Sequence, residues 1–207
     1  MSAAKVGILG GAFNPPHVGH LCLAQEAHAR LGLDRVLLVP VREAPHRDLE
    51  ADPGPDQRLR MVELATAGDE RLEASAVEVE RPGTSYTVDT LRALRETDPS
   101  QELTLILGAD QARRLATWHE PEAVLSLARL AVAEREGLGS ADVAAELDGL
   151  QGADRIVGFE LPRLDVSSTL VRERVAAGLP IRYLVPDAVA DHIGAEGLYA
   201  ASTPTAT

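Results

Sequence analysis

Short aliphatic runs alternate along the chain with longer stretches of helical spacing. Lys5 to Leu9 is a compact apolar run that ends in Gly10-Gly11 and reads as a buried first strand. His17 to Leu31 is rich in Ala and Leu and reads as a helix, with Gly32 as its stop. Arg35 to Val41 is a second strand. It leads into a loop, Pro40 to Pro55, that contains four prolines. A helix follows at Gln57 to Ala67, then an alternating run at Leu72 to Glu80 that predicts a third strand. Ser85 to Arg95 is helical, and Leu103 to Leu107 is a strand ending at Gly108. The rest reads as helix Pro121 to Leu127, strand Leu130 to Ala133, helix Ala141 to Leu150 and strand Arg155 to Leu161. Helices at Ser168 to Ala177 and Pro186 to Gly194 close the pattern.

Strand and helix alternate throughout, which predicts an α/β chain with a parallel sheet covered by helices on both faces. Ligand sites in such sheets lie beyond the carboxyl ends of the strands. Gly10-Gly11, Pro45-His46, Gly108-Ala109-Asp110 and Ser167-Ser168-Thr169 all fall at those ends.

Composition narrows the classes. The chain has 207 residues, enough for one domain, and 45% of them are hydrophobic. Aromatics are only 3%, so aliphatic and Ala side chains must fill the core. A net charge of -12 argues against non-specific nucleic-acid binding, but a locally basic pocket for small anions remains compatible with it. Cys22 is the single cysteine, which rules out an intramolecular disulfide and a Cys-based zinc site and fits a reducing cytoplasm. No apolar run reaches the roughly 18 residues of a membrane helix, and MSAAKVGILGG lacks the apolar core of a signal peptide. Residues 1–199 are expected to form one domain and 200–207, small and polar, a flexible tail. His28 and His192 read as surface helix residues and Cys22 as helix packing.

The junction after the first strand carries the chemistry. In GGAFNPPHVGH two Gly let a ligand approach the backbone, and two Pro set up the turn and the helix start. The free N–H groups and dipole of a helix starting near His17 favour an anion. His17 and His20 are three apart and share one helical face, with Gly19 removing a side chain between them. Paired imidazoles that donate N–H to phosphate oxygens suit nucleotidyl transfer, where an anionic acceptor attacks in line and catalysis is mostly positioning and charge stabilisation. A dehydrogenase-type dinucleotide site is excluded: Gly7, Gly10 and Gly11 have the wrong spacing, and Asp34 stands at the start of the second strand rather than its end.

GGAFNPPHVGH resembles the signature of the HxGH nucleotidyltransferase superfamily. Further blocks resemble the bacterial nicotinate-nucleotide adenylyltransferases: PHR at Pro45 to Arg47, GTSYTVDTL at Gly83 to Leu91, GAD at Gly108 to Asp110 with Trp118 after it, and DVSSTLVRER at Asp165 to Arg174. YLVPDAV at Tyr183 to Val189 and GLY at Gly197 to Tyr199 complete a likeness over about residues 5 to 199. The resemblance implies a single Rossmann-like doubly wound parallel sheet. It also implies adenylyl transfer from ATP to nicotinate mononucleotide, giving deamido-NAD and pyrophosphate without a covalent intermediate.

The resemblance implies site roles as well. His17, His20, Arg47 and Arg172 would be catalytic. ATP would be held by Gly10, Gly11, Ala12, Phe13, His17, His20, Gly108, Asp110, Ser167, Ser168, Thr169 and Arg172. The pyridine nucleotide would meet His46, Arg47, Tyr86, Thr87, Trp118, His119 and Arg135. Trp118 would stack on the ring, and backbone N–H groups near Thr87 and His119 would meet the nicotinate carboxylate, where an amide would face them donor to donor. Mg2+ would bind chiefly through the ATP phosphates, with no dedicated protein ligands. No nucleic-acid or membrane partner is implied, and a homo-oligomer is left open.

Four positions depart from the family pattern, one of them His119, where many relatives have an aromatic residue. Ala12 replaces a hydroxyl residue, Arg47 replaces a Lys, and Glu136 replaces the Pro of an Arg-Pro-Gly run. The competing readings are a sister transferase acting on nicotinamide mononucleotide or phosphopantetheine, and a weakly catalytic nucleotide-binding protein.

Overall fold

The computed structural model describes residues 3–45, 49–134 and 139–201. His46, Arg47, Arg135, Glu136 and most of the 200–207 tail lie outside them. Six strands form one sheet: β1 (Lys5–Gly11), β2 (Arg35–Pro40), β3 (Leu72–Ala74), β4 (Glu102–Gly108), β5 (Arg129–Glu134) and β6 (Val157–Glu160). All pairings are parallel, and the order is β3-β2-β1-β4-β5-β6. Helices α1 (Val18–Leu31), α2 (Pro55–Thr66), α3 (Thr87–Thr97), α4 (Ala109–Ala112), α5 (Pro121–Leu127), α6 (Ser140–Glu146), α7 (Ser168–Ala176) and α8 (Asp187–Ala195) connect and flank it. None is long and apolar enough to cross a membrane among the described residues.

The strands are apolar on both sides because both faces are covered. Val6, Ile8, Leu37, Val39, Leu103, Leu105 and Leu107 point to one face and pack with Val88 and Leu91 of α3 and Val124 and Leu125 of α5. Leu9, Val36, Leu38, Ile106, Ala131 and Ala133 point to the other and pack with Ala24 and Ala27 of α1 and Val62 of α2. The period-2 alternation within each run produces this division. Gly7 belongs to it: a Cβ there would stand 2.8 Å from both Ile106 Cδ1 and Leu33 Cδ1. A third cluster joins Met61 of α2 to Val171 of α7 and Val189 and Ile193 of α8.

The third strand is shorter than its sequence pattern. Ser75 N–H donates to Leu38 O at 3.0 Å, and the pairing Leu38 with Ala74 sets the register. The next rung needs an N–H from Pro40, which has none, so the chain leaves the sheet and turns at 76–81. The helix expected from Ser85 begins at Thr87, and the helix expected to Leu150 ends at Glu146. His192 is half-buried rather than a free surface residue: its Nε2 meets Gln57 Oε1 at 2.8 Å and ties α8 to α2. His28 is half-buried too.

The order reverses between β1 and β4, whose connections run to opposite sides, and this opens the crevice where doubly wound folds bind ligands.

Candidate active site

The crevice is bounded by Gly10 at the end of β1 and Gly108 at the end of β4. A Cβ at either glycine would meet no atom within 4 Å, so neither is required by packing. Asp110 is exposed two residues beyond Gly108.

His17 caps α1 in an extended conformation and is 7% exposed. Its backbone N–H donates to His20 Nδ1 at 3.2 Å, and the two rings stack with centroids 3.7 Å apart and planes tilted by 30°. An accepting Nδ1 requires a lone pair, so a neutral His20 carries its proton on Nε2. Burial pushes the His17 imidazole down to about 4. Burial, with the neighbouring His17 charge as a smaller contribution, pushes His20 down to about 3. Both rings are therefore neutral near pH 7. His17 Nδ1 is buried with no hydrogen-bond partner among the described residues, a cost retained mainly at functional sites. Gly19 has a specific structural role here: a Cβ would come within 3.0 Å of His17 Nδ1 and 3.1 Å of Cε1.

The GGAFNPPH loop folds around two buried residues. Phe13 adopts a left-handed φ of 48°, and its ring packs edge-on against His20 at 5.0 Å and beneath Gly11. Its side chain is thus inside the protein, and only its backbone is offered to a ligand. Asn14, 3% exposed, is held by Tyr199, Glu50 and Arg172.

The start of α7 docks on the same loop. Ser167 Oγ caps the helix by accepting from Leu170 N–H at 3.1 Å. Ser168 Oγ donates to Pro15 O at 2.8 Å. Arg172 donates to Asn14 O at 2.9 Å and reaches Thr169 Oγ1 and Glu50 Oε2, each at 3.4 Å. The sequence-nominated Ser168 and Arg172 are thus brought to the loop that carries His17, and the polar atoms of Ser167, Ser168 and Arg172 bond within the protein.

The nominated pyridine-side residues also converge. Tyr86 caps α3, and its ring lies 4.5 Å from that of His119. Half-buried Trp118 packs on the core beside them. Glu120, at a left-handed φ of 50°, follows His119 and holds Arg92 of α3 through two bonds of 3.0 and 2.7 Å. The placements of His46, Arg47 and Arg135 lie outside the described residues.

Sequence reasoning missed the residue that joins the two halves. Arg58 of α2 has no exposed surface. It donates to Asp52 Oδ1 at 2.8 Å, Ala12 O at 3.1 Å, Arg42 O at 3.1 Å and Val41 O. Arg42 N–H in turn donates to Ser85 Oγ at 3.0 Å, and Ser85 N–H to Glu43 O at 3.0 Å. Ala12, Arg58, Arg42 and Ser85 thus link the histidine loop to the start of α3. The signal was spacing: Arg58, Met61, Val62 and Thr66 form the buried stripe of α2. Beneath this chain Glu78 is buried and accepts from Thr90 Oγ1 at 2.6 Å. Burial pushes its carboxyl up, against the opposing hydrogen bonds from Thr90 and Ser85.

A hollow of about 420 Å³ lies at the opposite, amino-terminal edge of the sheet, lined in part by Arg95, Arg129 and Arg155. Arg95 and Arg155 there donate to Leu127 O and Leu125 O, which makes them caps for the end of α5.

Comparison with known proteins identifies the family. The cytidylyltransferase-like family model matches residues 8–174. A probable nicotinate-nucleotide adenylyltransferase of Roseiflexus sp. (strain RS-1) is 45% identical over 96% of this chain and 100% of its own. One of Herpetosiphon aurantiacus is 43% identical over 95% and 99%. One of Geobacillus thermodenitrificans is 39% identical over 98% and 89%. A Plasmodium falciparum nicotinic acid mononucleotide adenylyltransferase, solved with NaAD, superposes with a TM-score of 0.75 at 17% identity, covering 95% of this chain and 97% of that one. A putative nicotinate-nucleotide adenylyltransferase of Vibrio parahaemolyticus gives 0.67 at 20% identity, covering 97% of each. These structures share the fold. The chain belongs to the cytidylyltransferase-like family and, within it, to the bacterial nicotinate-nucleotide adenylyltransferases.

Proposed function

We propose that this chain transfers the adenylyl group of ATP to the phosphate of nicotinate mononucleotide, forming deamido-NAD and pyrophosphate. The observation that carries the reading is the neutral, stacked His17–His20 pair at the first turn of α1, at the carboxyl end of β1. A phosphate oxygen of the acceptor attacks the α-phosphorus of ATP. The new P–O bond forms as the bond to the bridging oxygen of the pyrophosphate breaks, and the pyrophosphate leaves as an anion. The attacking group is already ionised, so no general base is needed.

His20 Nε2–H and His17 act as hydrogen-bond donors to the phosphate oxygens where charge grows. Neutral donors fixed by stacking need no reorganisation during the step. The α1 and α7 amino ends add N–H groups and dipole, and Ser167, Ser168, Thr169 and Arg172 hold the triphosphate. On binding, Arg172 exchanges its contact with exposed Glu50 for phosphate. Gly10, Gly11, Ala12, Phe13 and Gly108 offer backbone to the nucleotide. Asp110 lies at its ribose and phosphate edge. Tyr86, Thr87, Trp118 and His119 receive the pyridine ring, and His46, Arg47 and Arg135 the acceptor phosphate.

Mg2+ fits this site as an ion carried by the triphosphate. Among the described residues no cluster of three His, Cys, Asp or Glu forms a cage, and Asp110 offers one exposed carboxylate. When bound, the ion neutralises phosphate charge.

The test is pyrophosphate release from ATP with nicotinate mononucleotide, nicotinamide mononucleotide or phosphopantetheine supplied in turn. The expected result is release fastest with nicotinate mononucleotide. Release with phosphopantetheine alone, or with no acceptor, overturns the assignment.

A further inference from the structure

Tyr199 stands 185 positions from Asn14 in the chain, yet its hydroxyl donates to Asn14 Oδ1 at 2.7 Å. The direction of that bond follows from the other end of the amide. Asn14 Nδ2 donates to Glu50 O at 2.9 Å, and a carbonyl can only accept. The amide nitrogen must therefore face Glu50, the amide oxygen must face Tyr199, and the phenol must be the donor. Burial pushes the Tyr199 phenol up, which keeps the proton in place.

The geometry points to Tyr199 as a positioning residue for the nucleotide site, acting through Asn14 on the loop that carries His17. Tyr199 reaches this place at a left-handed φ of 62°, on the turn after α8, whose Val189 and Ile193 pack with Met61 of α2. Its partner Asn14 is attached on three sides: by Tyr199, by Glu50 of the β2–α2 loop, and by Arg172, which donates to its backbone oxygen. Asn14 therefore sets the histidine loop relative to the start of α7 and to the backbone at Glu50. Without the phenol proton the buried amide oxygen has no donor. The amide is then held by the Glu50 carbonyl alone, and its orientation is less fixed. The inference rests on the ATP side of the reading above, not on the identity of the acceptor.

Tyr199→Phe keeps the ring and removes only the donor. In the full chain it is expected to weaken ATP binding by about tenfold in calorimetry, the scale of one unsatisfied buried acceptor. In the ligand-free protein, hydrogen exchange at His17, Val18 and Val41, whose N–H groups are bonded around this loop, is expected to quicken by a similar factor. Asn14→Asp, which accepts from Tyr199 but repels Glu50 O, should reproduce both changes. The double variant Tyr199→Phe/Asn14→Ala should be no worse than Asn14→Ala alone. Wild-type ATP affinity and wild-type local exchange in Tyr199→Phe, even with a lower melting temperature, would overturn the inference. Independent, multiplying effects in the double variant would do the same. The exchange measurement needs no substrate, so a failure of adenylyl transfer to any acceptor is read separately.

Discussion

His17 and His20 are bound to each other twice: their rings stack at 3.7 Å, and the backbone N–H of the first donates to Nδ1 of the second. The arrangement buries His17, half-buries His20 and keeps both imidazoles out of the charged state. An unfolded chain takes up protons at these positions below about pH 6.5, whereas the fold resists until about 4 at His17 and about 3 at His20. Their folded values are depressed, so stability falls as pH drops from 6.5 through that window, by up to about 1.4 kcal/mol per pH unit for each histidine. Urea unfolding between pH 7 and 4.5 should show this slope, and a His17→Gln/His20→Gln variant should flatten it. An imidazole resonance of either residue titrating near 6.5 in the free protein would contradict the account.

Removing the first donor should be felt in turnover. His17→Ala is expected to lower kcat by at least about 10²-fold, the scale of losing one preorganised donor to a transition state. Gly19→Ala tests the same geometry indirectly, since its methyl would press on the His17 ring at 3.0 Å. It should cost about tenfold or more in kcat with a smaller change in KM for ATP. Unchanged kcat in Gly19→Ala would show that the ring has room to shift without consequence.

Arg58 holds two strand-end loops and Asp52 from inside the protein. Arg58→Met keeps much of the volume but leaves three carbonyls and a partly exposed carboxylate without their donor. The expected loss is about 3 kcal/mol in chemical denaturation, the lower end for breaking a buried ion pair because Asp52 is 28% exposed. A loss below about 1 kcal/mol would mean that water replaces the guanidinium at little cost.

Glu78 has the opposite sign to the histidines. Its folded carboxyl is raised by burial, so its contribution to stability is fully present below the unfolded value and is lost as pH rises through the raised one. Glu78→Gln should remove that decline and leave the protein at least as stable as wild type at pH 7, with Thr90 still bonded. Denaturation curves at pH 5 and pH 8 for both proteins decide the point. A variant that loses stability equally at both would show that the charge itself is needed.

Much of the fold was legible because β1, β2 and β4 are aliphatic runs that end in Gly or Pro, and such runs have few alternatives to a covered parallel sheet. The overlong third strand shows where local pattern stops: Ser75 to Glu80 alternates well, but its neighbour supplies Pro40 where a donor is required. At the site, the histidine pair and the SST helix start were readable from short-range spacing. Tyr86 and His119 were nominated separately by the family likeness, and their stacking came only with the packing of α3 against α5. Arg58 was passed over although its spacing with Met61, Val62 and Thr66 was readable, because a lone Arg on a helix looks like ordinary surface, and the Tyr199–Asn14 bond was invisible because its partners stand 185 positions apart.

The empty space above Gly10 and Gly108 has a consequence for how this sequence can vary. Gly7 is fixed by its own neighbours, so any replacement there should reduce both the amount of folded protein and its activity. At Gly10 and Gly108 the folded chain has room for a methyl group, and under the proposed function only an incoming nucleotide would object. In a library scored once for cellular abundance and once for growth dependent on the enzyme, the two scores should agree at Gly7 and separate at Gly10 and Gly108. Such a split would mark, residue by residue, where selection acts on the ligand rather than on the fold.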